Sequence, residues 1–254
     1  MRTRTCAINP SGLGTGQADQ FPTEACARCD MCELWCQAVR DDPTRHDAPD
    51  WFCTRRKPLR RGEYLFRAGE PVRSIYALRD GSLKLFLPDR GRERITAFHI
   101  AGELVGLHAV HSGQHDCSAV ALEDGYVCEV PFDQLERLCR NEPASQRRLH
   151  QSLSRELVRH YERVGGMAGV NLEGRLAAFL LNLSRRFSAR SLSARLFPLC
   201  MSREEIGNYL GMTAAAVSRI LLKFQGSRLI STHLDLVELL DVDGLRLAAS
   251  GRVR

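Results

Sequence analysis

Four cysteines, Cys26, Cys29, Cys32 and Cys36, fall within the eleven-residue run CARCDMCELWC, and Cys128 follows much later in VCEVP. Thiolates at this density are soft donors, suited to iron–sulfur chemistry or to zinc. A closed four-thiolate zinc site is structural and blind to oxygen. An iron–sulfur centre is redox-active, so its loss would release the segment that holds it. Disulfides are rare in a reducing compartment, which favours metal binding or redox chemistry for a cysteine cluster there.

A second group of residues reads as a nucleic-acid reader. Ser202 can cap a helix, and Glu205 three residues on can complete a capping box. Gly211 is placed to end that helix in the left-handed conformation, and Thr213 to cap the next one at Ala214-Ala215-Ala216. Ile206 and Leu210 face inward, and Val217, Leu221 and Phe224 pack back on them. Ser218, Arg219 and Lys223 remain for the outer face. A recognition helix sets its N-terminal residues against base edges in the major groove. The small Ala215 allows close approach, Arg219 suits guanine O6 and N7, and Ser218 can reach a base or a phosphate. Lys223, Arg185, Arg186 and Arg203 are candidates for phosphate contacts, which position without specifying.

These two groups sit in a chain of 254 residues, 44% hydrophobic, with a formal net charge of +6. That size allows two ordinary domains and a tail, and the charge permits nucleic-acid binding. No stretch of eighteen apolar residues occurs, and MRTRTCAINPSG lacks the apolar region of a signal peptide, so a cytoplasmic protein is expected. Between residues 58 and 135 short apolar runs alternate with glycines. YLFRAGE, SIYALRDGSLKLFLP, ERITAFHIAGELVG and SAVALEDGYVCEVP each read as a strand or hairpin, the pattern of a β-barrel or jelly roll. Residues 132–169 read as helical. Leu149, Leu153, Leu157, His160, Val164 and Met167 recur at helical spacing and suggest a dimer seam. NLEGRLAAFLLNLSRRF predicts a further amphipathic helix, and HLDLVELLDVDGLRLAA a wing and a final helix. His99, His108, His111 and His115 are expected at loop and surface positions. No nucleophile–base pairing or phosphate-cradling glycine loop occurs, so the chain is not expected to be an enzyme.

The segments LFRAGE, SIYALRDGSLK, ITAFHIAGELVG, VCEVPF, RLAAFLLNLSRRF and IGNYLGMT…VSRIL together resemble the anaerobic transcription regulators of the fumarate and nitrate reductase regulator (FNR) type, within the cAMP receptor protein (CRP) superfamily. The resemblance implies an α+β fold. Residues 1–50 would be a cysteine-rich cluster-binding segment, 51–140 a β-roll of the cyclic-nucleotide-binding jelly-roll kind, 141–170 a dimerisation helix, and 171–254 a winged helix-turn-helix. It also implies a homodimer that binds palindromic double-stranded promoter DNA and touches RNA polymerase. The cofactor it implies is an oxygen-labile [4Fe-4S] cluster held by three N-terminal cysteines and one remote cysteine, Cys128.

Four cysteines compete for the three N-terminal places. Cys26, Cys29 and Cys36 match the family spacing and are the preferred set. Cys29, Cys32 and Cys36, or the ferredoxin-like CARCDMC, are the alternatives. A zinc-binding, nitric-oxide-sensing or redox-sensing regulator of the same fold is the alternative function. Ala215 stands where the family usually carries a glutamate that accepts from cytosine, so the expected palindrome TTGAT-N4-ATCAA should be read differently at one base pair. Cyclic AMP is not expected as a ligand: Gly102-Glu103 is present, but Asp116-Cys117-Ser118 lacks the arginine that would hold the cyclic phosphate.

Overall fold

The computed structural model describes residues 56–89, 91–167 and 171–251, so Cys26, Cys29, Cys32 and Cys36 lie outside the described residues. The chain forms two compact units. Of the described residues, one unit holds those from Arg56 to Lys84 with His99–Ser152, the other those of 85–98 and 153–251.

Eight strands build the β-roll: β1 (Arg56–Leu59), β2 (Tyr64–Phe66), β3 (Ser74–Asp80), β4 (Ser82–Asp89), β5 (Arg92–Ile100), β6 (Leu104–Val105), β7 (Ser118–Ala121) and β8 (Gly125–Pro131). They form two four-stranded sheets, in the orders β1-β8-β3-β6 and β2-β7-β4-β5. SIYALRDGSLKLFLP is therefore not a hairpin, because β3 and β4 belong to different sheets. The same holds for SAVALEDGYVCEVP, which carries β7 and β8. The glycines that look like hairpin turns are corners. Gly81 has φ +85, and a Cβ on Gly125 would overlap the Asp80 carbonyl, so the two corners meet backbone to backbone. On the first sheet, β8 is flanked by β1 and β3, with Arg56 and Ala77 as the cross-strand partners of Cys128. Ile75, Ala77, Leu104, Leu107, Cys128, Val130, Leu135, Leu138 and Cys139 form a buried cluster on this sheet.

The helical stretch expected over 132–169 is two helices, α1 (Phe132–Asn141) and α2 (Pro143–Met167). Glu142 between them is extended, at φ −127 and ψ 96, as the residue before a proline prefers. Leu149 packs partly against the buried cluster. Beyond it α2 leaves large apolar side chains in solvent: Leu153, Leu157, Val158 and Tyr161. The side chains of Val164 and Met167 lie outside the described residues.

The remaining elements are α3 (Leu172–Ser188), β9 (Leu196–Pro198), α4 (Arg203–Leu210), α5 (Ala214–Gly226), β10 (Ile230–His233), β11 (Leu236–Leu239) and α6 (Val242–Ala249). Strands β10, β11 and β9 make a three-stranded wing sheet, of which β9 has no clear counterpart in the sequence pattern. Leu176, Leu180, Leu183, Phe197, Ile206, Val217, Phe224 and Leu245 are buried in this unit. Phe187 stacks on Phe197 with ring centroids 5.3 Å apart. No described helix is long and apolar enough to cross a membrane.

Candidate nucleic-acid interface and thiol centre

Local capping sets the geometry of the α4–α5 pair. Ser202 Oγ accepts from the Glu205 amide at 3.1 Å, and Glu205 Oε2 accepts from the Ser202 amide at 2.8 Å, which completes the expected capping box. Gly211 ends α4 at φ 68 and ψ 42, and Thr213 Oγ1 accepts from the Ala216 amide at 3.2 Å to start α5. Ile206, Leu210, Val217, Leu221 and Phe224 are all buried, as their spacing predicts. Gly207 lets the helices close up: a Cβ there would lie 2.6 Å from the Met212 carbonyl oxygen. Gln225 Nε2 donates to Thr232 Oγ1 at 2.6 Å and ties the wing to α5.

The outer face of α5 carries Ala215, Arg219, Leu222 and Lys223 in solvent and Ser218 half-buried, with Thr213 exposed at the cap. Arg219 presents a planar fork suited to a guanine edge, whereas Ala215 has no polar atom to offer. Two of the expected phosphate cations are engaged elsewhere. Lys223 Nζ lies 2.7 and 2.8 Å from the Glu173 carboxylate oxygens on α3. Arg186 donates to the Phe98 carbonyl at 2.6 Å. The lysine pair is exposed, worth at most about 1 kcal/mol, so a phosphate can replace Glu173 at little cost. Sequence reasoning missed the Gln225 brace, the Lys223 ion pair and the apolar Leu222 on the outer face. Only Leu222 had a signal, its heptad spacing from Ala215.

The thiol centre is described at one residue. Cys128 is 1% exposed on β8, walled by apolar side chains of the buried cluster. Among the described residues no three His, Cys, Asp or Glu side chains are placed to hold a metal ion. A centre that used Cys128 would draw further ligands from outside the described residues, where the cysteine run of the N-terminus lies. The residue suits that role as a soft sulfur donor in a dry wall. Cys117 and Cys139 are buried, and Cys200 is half-buried.

The histidine expectation needs correction. His108 and His111 are exposed, but His99 and His115 are buried, because both fill the interior of the β-roll. His115 stacks on Phe66 with centroids 3.7 Å apart and 8° between planes, and burial pushes its imidazole below the ordinary range. His99 Nδ1 lies 3.4 Å from the fully buried Glu103 carboxylate, which also accepts from the Ile100 amide. Cys117 Sγ lies 3.2 Å from His108 Nε2. Glu103 is thus engaged within the β5–β6 turn in which it lies, and Asp116 is exposed.

Residues 56–142 match the cyclic nucleotide-binding domain family, and residues 174–248 the Crp-like helix-turn-helix domain family. The chain is 42% identical over 229 residues to the transcriptional activator protein Anr of Pseudomonas protegens, covering 90% of this chain and 93% of that protein. It is 40% identical to the fumarate and nitrate reduction regulatory protein of Vibrio cholerae, covering 87% of this chain and 90% of that one. Among solved structures it resembles FixK2 from Bradyrhizobium japonicum, with a TM-score of 0.68 and 28% identity over 76% of this chain and 95% of that one.

Proposed function

Because the chain belongs to the CRP/FNR family of DNA-binding transcription regulators, we propose that it is an oxygen-responsive member. In this reading Cys26, Cys29, Cys36 and Cys128 hold a [4Fe-4S] cluster. The observation that carries it is Cys128, a buried thiol in an apolar wall, in a chain whose N-terminus carries CARCDMCELWC. Those four thiolates would hold the cluster, which when bound would supply redox-active, oxygen-labile iron–sulfur chemistry.

The remaining steps belong to the chain's own residues. Leu153, Leu157, Val158 and Tyr161 form an apolar strip on α2 that a second copy of the chain covers. Pairing brings two α5 helices to two half-sites a helical turn apart, the arrangement a palindrome requires. Thr213, Ala215, Ser218 and Arg219 face the base edges of a site related to TTGAT-N4-ATCAA. Lys223 exchanges Glu173 for a phosphate. Release of the N-terminal run in oxygen weakens the dimer, and one α5 alone retains little specific affinity. RNA polymerase is the protein partner at the promoter. Cyclic AMP has no role in this reading, since Glu103 is buried beside His99 and the Ile100 amide and Asp116-Cys117-Ser118 offers no arginine to a cyclic phosphate.

Anaerobic purification with iron, sulfide and zinc analysis, and absorbance spectra before and after air, tests the reading. About four irons and four sulfides per chain, with a visible chromophore bleached by air, support it. Replacement of Cys26, Cys29, Cys36 or Cys128 by Ala should abolish the chromophore, and Cys32→Ala should spare it. Zinc without iron, and no response to air, would select a zinc-bound regulator instead.

A further inference from the structure

Leu222 is 67% exposed on α5, while the other large apolar residues of that helix, Val217, Ile220, Leu221 and Phe224, are buried. Its place on the helix is specific. Ala215 and Leu222 are one heptad apart, so they share a face to within about 20°. They are separated by about 10.5 Å along the axis, or about three base-pair steps. Arg219 lies between them on the same outer face and is also exposed. The recognition face is therefore apolar, cationic, apolar in order along the helix. Between Ala215 and Lys223 it carries no carboxylate and, beyond the half-buried Ser218, no side chain that accepts a hydrogen bond from a base.

We infer that Leu222, together with Ala215, reads thymine C5-methyl groups on either side of the guanine contacted by Arg219. The inference rests on the DNA-reading role proposed for α5 and adds how the base pairs beside the guanine are chosen. Among base edges in the major groove, the thymine methyl is the apolar feature, and alanine-sized and larger apolar side chains are its natural partners. A methyl removed from water against Leu222 is worth about 0.8 kcal/mol, or about four-fold in affinity. The expected half-site TTGAT has thymines on both sides of its guanine, which suits this order of side chains. Leu222 takes no part in the buried face of α5, so its replacement leaves the fold intact.

The test uses full-length protein, purified and handled without oxygen, and duplexes enriched by that protein from a randomised pool. Each thymine of the enriched half-site, on either strand, is replaced singly by deoxyuridine, which lacks only the methyl. The wild type should lose about four-fold in affinity at one or more positions. Leu222→Ala should bind the thymine duplex about four-fold more weakly and be indifferent to deoxyuridine at one of those positions. Leu222→Gln, with an unchanged melting temperature, should behave the same way. Equal deoxyuridine sensitivity in wild type and both variants, or a wild type indifferent at every thymine, would overturn the inference. Failure to enrich any duplex would count against the DNA-reading role itself.

Discussion

Gly207→Ala sets two opposing effects against each other at one atom. Helix propensity alone favours alanine by about 1 kcal/mol in a helix interior. The contact geometry opposes it: the new Cβ would stand 2.6 Å from the Met212 carbonyl oxygen and 3.2 Å from the Thr213 carbonyl carbon. Ordinary contact begins at 3.4 Å, so the turn must open by about 0.8 Å. Both obstacles are backbone, and the Met212 amide is itself bonded to the Gly207 carbonyl at 2.9 Å, so no side chain can swing away. Overpacking of this kind costs about 3 kcal/mol at the upper end, which leaves a net loss of about 2 kcal/mol. For a unit of this size that is a fall of roughly 8–16 °C in Tm. The shifted turn also tilts α5 through its Thr213 cap, so specific DNA affinity should fall at least ten-fold. Differential scanning calorimetry and fluorescence anisotropy on a labelled duplex read both numbers. A Gly207→Ala protein as stable as the wild type and equally tight on DNA would refute the reasoning.

Four further outcomes are expected. Arg219→Ala should cost about 1–3 kcal/mol on the preferred duplex and relax selectivity at one base pair. Lys223→Ala should instead weaken binding evenly across sequences and lower the salt slope by about 1 in anisotropy titrations. Leu157→Glu places a carboxylate in the α2 strip of each copy. At about 1–3 kcal/mol for each of the two buried unpaired groups, the dimer dissociation constant should rise roughly thirty-fold or more by sedimentation velocity. The Cys117 thiol is pushed up to about 12, first by burial and then by Asp116, and Cys139 is raised by burial and Glu136. A raised thiol pKa keeps the neutral form at pH 8, so both should resist iodoacetamide in the folded protein and react promptly in guanidinium, as peptide mass analysis would show.

The helix-turn-helix was legible because its signals are local. Ser202 and Glu205 lie three residues apart, Gly211 alone suits its left-handed position, and the buried stripe repeats at helical spacing. The β-roll was legible as a class but not in its pairing. Strands next to each other in the chain, such as β3 and β4, go to opposite sheets, and the glycine at Gly81 looks the same in a corner as in a turn. The break before Pro143 was available from the proline's own stereochemistry. Burial of His115 had no local signal, because Phe66, which receives it, comes from another part of the roll, whereas the partner of His99, Glu103, is four residues away and its spacing was there to be read. Lys223 looked like a free cation in the sequence, since its partner Glu173 is fifty residues away.

The central claim is that oxygen acts on DNA binding through the thiols at both ends of the sensor segment. One measurement meets it directly: the Kd of anaerobically prepared protein for its enriched duplex, before and after air, for the wild type and for Cys128→Ala. The account predicts tight binding by the wild type that weakens by at least ten-fold in air, and weak binding by Cys128→Ala that air does not change. A wild type with the same Kd under both conditions, or a Cys128→Ala protein that binds tightly and still loses affinity in air, would contradict it.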